Sequence, residues 1–284
     1  MTQPIPPQEG RVIDLSVEVP GTPEEVWAAV ATGPGITAWF VPHAVEERVG
    51  GTAAMDFGTF GVEKAEVAAW EPPDRVVFVG GPQGRVLAYE WTVTAKDGGT
   101  CVVRLVNSGF GPGEEWDGDY DGMSMGWRLF LENLRLHRTY FAGRRAASIV
   151  PMGSVPGPHE RAWAAACERI GVAPDLHSGS VFATSGDGVP ALRGRVETVL
   201  RGPRLTANLV VLDTPVPGTG ILAAEGKGDA VMLSFYQYRY GPDVEAPADL
   251  ADDWTPFFAE HYPFPQPEAQ DAPRSQEPAG DRAG

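Results

Sequence analysis

An acidic run at residues 114–121 is the densest group of potential metal ligands in the sequence, with five carboxylates in eight positions. A calcium loop needs the pattern D-x-[DN]-x-[DN]-G followed by a distal glutamate, and the run lacks that pattern. Negative charge in the first turn of a helix is stabilised by the helix dipole. We therefore interpret the run as the acidic entrance to a helix, with Asp121 near its N-terminus, and predict no metal site and no cofactor.

The five histidines are dispersed and show no spacing typical of metal ligands. His43 follows a Trp-Phe-Val-Pro segment in a predicted loop, where an imidazole either performs acid–base chemistry near neutral pH or is simply solvated. His137 is expected on the exposed face of a helix, between Arg135 and Arg138. The sequence shows no nucleophile elbow, P-loop or dinucleotide-binding fingerprint. We therefore predict no catalytic residue, and the sequence favours a binding protein over an enzyme.

Alternating apolar residues on predicted strands supply the best candidates for a binding surface. In segment 85–94, Tyr89 and Trp91 alternate with polar residues, and in segment 100–108 Leu105 and Asn107 form a similar series. Each aromatic residue is alternatively a plain core residue, and Asn107 alternatively caps a turn. The residues predicted to face inward and bind a ligand are Trp39, Phe40, Met55, Phe57, Phe78, Tyr89, Trp91, Leu105, Asn107, Met123, Trp127 and Phe130.

The first predicted strand leads directly into a short helix. Residues 12–19 alternate between apolar and polar side chains, which is the period-2 pattern of a half-buried strand. Thr22 then stands before Pro23, the order typical of an N-cap followed by a first-turn proline. Glu25 lies in the first turn, where the helix dipole favours negative charge. We expect this helix to pack through Trp27.

Five more strands and a long helix are predicted to follow. The strands are predicted at residues 51–57, 62–70, 75–80, 85–94 and 100–108, and the helix at residues 123–141. A meander of antiparallel strands must bury one face, and only the last helix is large enough to cover it. The sequence therefore predicts an α+β fold, a curved antiparallel sheet wrapped around a long C-terminal helix. Because sheet and helix do not close perfectly, a ligand cavity is expected between them.

These segments resemble the SRPBCC (START-like, helix-grip) superfamily, and within it the group similar to the C-terminal domain of the Hsp90 ATPase activator. The resemblance covers residues 12–141, about half of the chain. It implies a helix-grip fold with a hydrophobic ligand cavity, and it raises an Hsp90-type chaperone as a possible partner. The motifs that carry it are Pro23-Glu24-Glu25-Val26-Trp27, Ile36-Thr37-Ala38-Trp39-Phe40, Val49-Gly50-Gly51-Thr52, the segment 67–78, and Gly126-Trp127.

The second half of the chain repeats the order of helix, strands and helix. The sequence Glu-x-x-Trp-Ala-Ala occurs at Glu24 and again at Glu160, and strand-like runs follow up to residue 240 before a predicted helix at 249–262. We interpret this half either as a second, degenerate helix-grip unit or as an unrelated α+β extension. The predicted division is a flexible N-terminus at 1–10, a first domain at 11–142, a linker at 143–157, a second domain at 158–263 and a disordered tail at 264–284.

Composition limits the classes of partner. The formal net charge is −16, which argues against nucleic acid and anionic membranes, because both bind basic surfaces. Cys101 and Cys167 are each interpreted as small buried apolar residues, since two scattered cysteines make no disulfide framework. The sequence shows neither a signal peptide nor an apolar stretch of membrane-spanning length, so a cytoplasmic location is expected.

Three functions are compatible with the sequence. The preferred hypothesis is a binding module that takes an apolar or aromatic small molecule, such as a lipid or a polyketide-like compound, between sheet and helix. The second is a partner that stimulates the ATPase of an Hsp90-type chaperone, as the resemblance implies. The third is a cyclase, dehydratase or hydrolase of the kind this superfamily hosts. That enzyme would need polar side chains such as Asn107, Tyr89 and His43 to converge in the cavity.

Overall fold

The computed structural model describes residues 10–81, 85–226, 228, 230–242 and 247–265 of the 284-residue chain. Within these ranges the chain forms two antiparallel sheets and five α-helices, which confirms the predicted α+β fold. No helix in these ranges is long and apolar enough to cross a membrane. The predicted flexible N-terminus and disordered tail fall mostly on residues 1–9 and 266–284, outside the described residues.

The first unit is a sheet that closes on one long helix. It contains β1 (Arg11–Pro20), α1 (Pro23–Ala31), α2 (Gly33–Thr37), β2 (His43–Val45), β3 (Thr52–Asp56), β4 (Val62–Glu71), β5 (Arg75–Gly80), β6 (Leu87–Lys96), β7 (Thr100–Phe110) and α3 (Asp117–Tyr140). Neighbouring strands follow the order β1-β7-β6-β5-β4-β3-β2, so the last strand pairs with the first. Helix α3 covers this sheet and packs most closely against β1.

The turn into α1 forms as the sequence predicts. The Thr22 side chain accepts a hydrogen bond from the Glu25 amide, and the Glu25 side chain accepts one from the Thr22 amide, which completes a capping box. Helix α2 and strand β2 were not predicted from the sequence. A Cβ atom at Gly35 would overlap the Ala28 carbonyl, so this glycine lets α2 lie against α1. The close packing directs residues 38–40 toward the interior.

The second unit has the same order of strands as the first. It contains β8 (Ala146–Ile149), β9 (Met152–Pro156), α4 (His159–Ile170), β10 (Val181–Ala183), β11 (Arg193–Arg201), β12 (Leu205–Thr214), β13 (Gly218–Glu225), β14 (Ala230–Tyr240) and α5 (Pro247–His261). Its strands follow the order β10-β11-β12-β13-β14-β8, and β9 also pairs with β14. The first strand again lies beside the last. The second helix-grip-like unit is therefore present, in a shorter form.

The segment interpreted as a linker, residues 143–157, instead contains strands β8 and β9. Both pair with β14, β8 along Gln237–Tyr240 and β9 along Ala230–Ser234, so together they occupy the place that β1 holds in the first sheet. Its proline and glycine content suggests a flexible connection, but the edge of β14 supplies backbone hydrogen-bonding partners along the segment. The two units are consequently joined through a sheet rather than through a free connection.

The second sheet separates two hydrophobic cores. On β13, Ile221 and Ala223 belong to the core around α3, whereas Leu222 and Ala224 belong to the core around α4 and α5. This alternation follows from the two-residue period of a strand. The layers are therefore the first sheet, α3, the second sheet, and the pair α4 and α5. The outer core is filled by aromatic rings, including Trp254 against Phe235 at 4.4 Å between ring centroids.

Helix α3 is buried on two opposite sides. Leu134 and Leu136 both have no exposed surface, although residues two positions apart on a helix point about 200° apart. His137, which was expected on an exposed face, is only 3% exposed and stacks on Tyr240 of β14 at 5.3 Å. That expectation was wrong because β14 of the second sheet packs against the side of α3 that carries His137. The helix also begins at Asp117 and so includes part of the acidic run.

The Tyr240 hydroxyl joins the two units through a buried hydrogen bond. It donates to the Ala38 carbonyl at 2.6 Å and lies 3.1 Å from the Thr219 hydroxyl. We expect Tyr240→Phe to lower the free energy of unfolding by about 2 kcal/mol, because a buried carbonyl loses its donor. Urea unfolding followed by circular dichroism measures this change. The exposed Tyr140→Phe is the control and should change stability by less than about 0.5 kcal/mol.

A second prediction concerns acid sensitivity. Burial, with a smaller contribution from the charge of Arg138, lowers the pKa of His137 to about 4. The unfolded chain takes up this proton near pH 6.5 and the folded chain only near pH 4, so stability falls as the pH drops through that window. His137 alone accounts for a loss of roughly 3 kcal/mol across it.

His137→Phe keeps an aromatic ring against Tyr240 and removes the titrating group. We expect it to reduce the loss of stability between pH 7.5 and pH 4.5, measured by urea unfolding at both values. Substitution of the exposed His177 by Asn is the control. An unchanged pH dependence in His137→Phe would contradict the assigned burial of the neutral imidazole.

Candidate functional site

A cavity of about 270 Å³ lies between the first sheet and α3. Its walls come from α1, α2, the segment that follows α2, strands β2 to β6 and the first half of α3. Half-exposed side chains, among them Met55, Phe57 and Met123, place its mouth between the β3–β4 turn and α3. The lining residues are Val30, Ile36, Trp39, Phe40, His43, Ala53, Met55, Phe57, Glu63, Ala65, Phe78, Tyr89, Trp91, Met123, Gly126, Trp127 and Phe130.

Eight aromatic side chains dominate this lining. Trp127 stands at their centre, with ring centroids 5.0 Å from Phe40, 5.4 Å from Trp91 and 5.9 Å from Tyr89. These tilted and edge-to-face arrangements are the ones that aromatic quadrupoles favour. The rings are therefore held by one another, and the cavity has stiff walls.

Residues 38–40 are fixed by hydrogen bonds from three directions. The Trp39 indole donates to the Ala29 carbonyl of α1 at 2.8 Å, and the Asn133 amide of α3 donates to the Trp39 carbonyl at 2.8 Å. Tyr240 of the second sheet donates to the Ala38 carbonyl. The position of one cavity wall thus depends on α1, on α3 and on the second unit together.

Ten of the twelve residues predicted to bind a ligand lie in this lining, and their role in binding stays a prediction. Leu105 and Asn107 lie outside it. Both are on β7, which lies between β6 and β1, and α3 packs closely against the neighbouring β1. The Asn107 amide donates to the Ala88 carbonyl at 3.0 Å, and its Oδ1 atom has no hydrogen-bond partner within the described residues. The enzyme hypothesis had grouped Asn107 with Tyr89 and His43. Tyr89 and His43 both line the cavity, whereas Asn107 lies directly opposite Tyr89 on the neighbouring strand but outside the lining, so the three do not converge in the cavity.

His43 lies on strand β2 and lines the cavity, rather than standing in a loop. Its Nδ1 atom is 2.8 Å from the Val41 carbonyl, an arrangement in which Nδ1–H donates. Burial lowers the pKa of His43 to about 4, although the hydrogen bond to Val41 acts in the opposite direction. The imidazole is therefore neutral at pH 7, with its Nε2 lone pair free of any hydrogen bond within the described residues.

Of the lining residues that were not among the twelve predicted, Glu63 is the acidic one. It lies on β4 directly opposite Met55, and Met55 lies opposite His43, so the three side chains share one face of the sheet. Burial raises the pKa of the Glu63 carboxyl. Burial, and then the charge of Glu63, raise the pKa of Tyr89. The signal was available, because Glu63 stands in the same alternating series as the apolar Ala65 and Val67.

The acidic run lies at the N-terminal end of α3, as predicted, and several of its carboxylates form ion pairs. Three of its carboxylates contact arginines from separate parts of the chain, namely Asp117 with Arg11, Asp119 with Arg85, and Asp121 with Arg204. Across the described ranges no group of three or more histidine, cysteine or acidic residues is arranged to hold a metal ion. Cys101 and Cys167 are free and buried, as predicted.

Several solved structures are similar to this chain. The di-domain ARO/CYC BexL of the BE-7585A biosynthetic pathway is 14% identical, with a TM-score of 0.42 over 86% of this chain and 88% of BexL. DynU16, from the dynemicin biosynthetic locus, is 18% identical, with a TM-score of 0.41 over 82% of this chain and 87% of DynU16. Aha1 of Colwellia psychrerythraea, solved as a dimer, is 16% identical, with a TM-score of 0.41 over 47% of this chain and 100% of Aha1.

No curated protein matches the chain. A family model does match, and it is described as polyketide cyclase / dehydrase and lipid transport. The match covers residues 11–149, just under half of the chain. Every residue that lines the cavity falls within the part of the chain that this family model matches.

Proposed function

We propose that the first unit binds an apolar or aromatic small molecule in the cavity between its sheet and α3. The observation that carries this proposal is the cavity itself, which has eight aromatic walls and a mouth formed by half-exposed side chains. Ligand sites in proteins are typically concave and mostly apolar, with a few polar groups that fix orientation. His43, Glu63 and Tyr89 are the polar groups here.

The energetics favour an apolar occupant. Removing ~200 Å² of apolar ligand surface from water contributes ~5 kcal/mol before the cost of association. The walls are already held by packing and by the hydrogen bonds to residues 38–40, so little ordering is needed when a ligand enters. A preformed site of this kind binds with a smaller entropic cost than one that must be assembled.

Binding accounts for the polar groups better than catalysis does. A general base works best when its pKa lies near the operating pH, and the His43 imidazole has a pKa of about 4. At neutral pH the imidazole is therefore unprotonated at Nε2, where it can accept a hydrogen bond, and it is a weak base. The enzymatic and chaperone hypotheses stay predictions.

Gly126 offers a way to close the cavity without disturbing the core. It lies on α3 in the cavity lining, and a Cβ atom there would meet no atom within 4 Å. We expect Gly126→Leu to fill the cavity and weaken the binding of phenylnaphthylamine, a neutral aromatic fluorophore, by at least ~10-fold. Fluorescence titration measures the affinity.

The control is Gly118→Leu on the same helix, where the glycine is exposed and also has open space around it. Leucine favours a helix over glycine, so neither variant should lose stability. Equal binding of the fluorophore by the wild type and by Gly126→Leu would show that it does not use the cavity, and the proposed function would then lose its basis.

A further inference from the structure

Of the described residues that line the cavity, one carries a negative charge and none carries a positive charge. Among the lining residues that the structure describes, Glu63 is acidic and none is lysine or arginine. The other titratable groups in the lining are His43, which is neutral at pH 7, and Tyr89, whose phenol stays protonated. A ligand in this cavity therefore meets one carboxylate and no opposing positive charge.

Glu63 has no protein counter-ion. Within the described part of the chain its carboxylate makes no hydrogen bond and no ion pair, as is also the case for the more deeply buried Glu225 of β13. Two other partly buried carboxylates are paired. Glu90 pairs with Arg75 at 3.0 Å, and Glu132 pairs with Arg135 at 2.5 Å. A carboxylate taken partly out of water is costly unless it is paired, so the arrangement around Glu63 is incomplete without an occupant.

The aromatic side chains of the cavity wall also favour a positively charged ligand. The quadrupole of Trp, Tyr and Phe rings attracts cations, most strongly for Trp, and three tryptophans line this cavity. The free Nε2 lone pair of His43 can accept an N–H group. Its Cβ atom lies on the same row of side chains as that of Glu63, with Met55 between them.

We propose that the ligand supplies the counter-charge: the cavity takes a cationic aromatic molecule, with Glu63 paired to a protonated amine. This inference rests on the proposed function, since it names the chemical class that the same cavity selects. The aromatic part lies among the rings, and the ammonium group lies near the mouth beside Glu63. Because Glu63 is half-exposed, the ammonium group keeps part of its hydration there.

Three naphthalene probes that differ in charge test the inference on the full chain. Naphthylmethylamine is a cation at pH 7, naphthalenemethanol is its neutral counterpart, and naphthoate is an anion of similar size. We expect the amine to bind ~10-fold more tightly than the alcohol, and the anion to bind more weakly than both. Quenching of tryptophan fluorescence and isothermal titration calorimetry measure the affinities.

Glu63→Gln removes the charge and keeps the shape. We expect this variant to bind the amine and the alcohol with affinities within ~2-fold of each other, while its affinity for the alcohol matches that of the wild type. Glu47→Gln is the matched control, because it removes one exposed carboxylate away from the cavity and leaves the preference for the amine intact. Thermal unfolding confirms that both variants fold. If Glu63→Gln does not fold, the comparison of the three probes on the wild type decides the question.

The results separate the inference from the proposed function. If the alcohol binds and the amine binds no more tightly, the cavity takes neutral ligands and the charge inference is overturned while the proposed function stands. A preference for the amine that survives Glu63→Gln also overturns it. If neither these probes nor phenylnaphthylamine bind, the proposed function fails, and the inference fails with it.

Discussion

Burial of α3 from two opposite sides is the constraint on which the rest of the structure depends. A fully buried leucine contributes ~1.5–3 kcal/mol, and Leu134 and Leu136 are both fully buried although they point in nearly opposite directions. One sheet satisfies only one of these directions, so the second sheet is part of the same core. Phe130 contacts Tyr236, and His137 stacks on Tyr240, across this junction. The second unit thus completes the burial that the first unit begins.

The cavity follows from where α3 makes its closest contact. The helix packs against β1, at one edge of the first sheet, and the space beneath it widens toward β3 and β4. Large aromatic residues line that space, and contacts such as Trp39 with Trp91, at 5.5 Å between centroids, prevent it from collapsing. The three hydrogen bonds to residues 38–40 hold the remaining wall in place. A gap between two rigid surfaces therefore persists in a tightly packed protein.

The polar groups of the site take their properties from this same packing. Burial keeps the His43 imidazole neutral and raises the pKa of the Glu63 carboxyl, since few groups near them compensate for lost water. The carboxylates at the N-terminal end of α3, in contrast, form ion pairs with arginines from several other elements. The acidic entrance of α3 is thus paired with arginines, whereas the Glu63 carboxyl in the cavity has no ion-pair partner within the described residues.

The sequence by itself determined the local elements and most of the cavity lining. Alternation along β6 identified Tyr89 and Trp91, and the N-cap Thr22 followed by Pro23 identified the start of α1, because both patterns depend on backbone geometry within a few residues. Tertiary structure alone decided that residues 143–157 pair with β14, that His137 is buried and that Asn107 lies outside the cavity lining. Each of these depends on which distant element packs against the residue. Periodicity shows which side of an element is apolar, but it does not show what covers the other side.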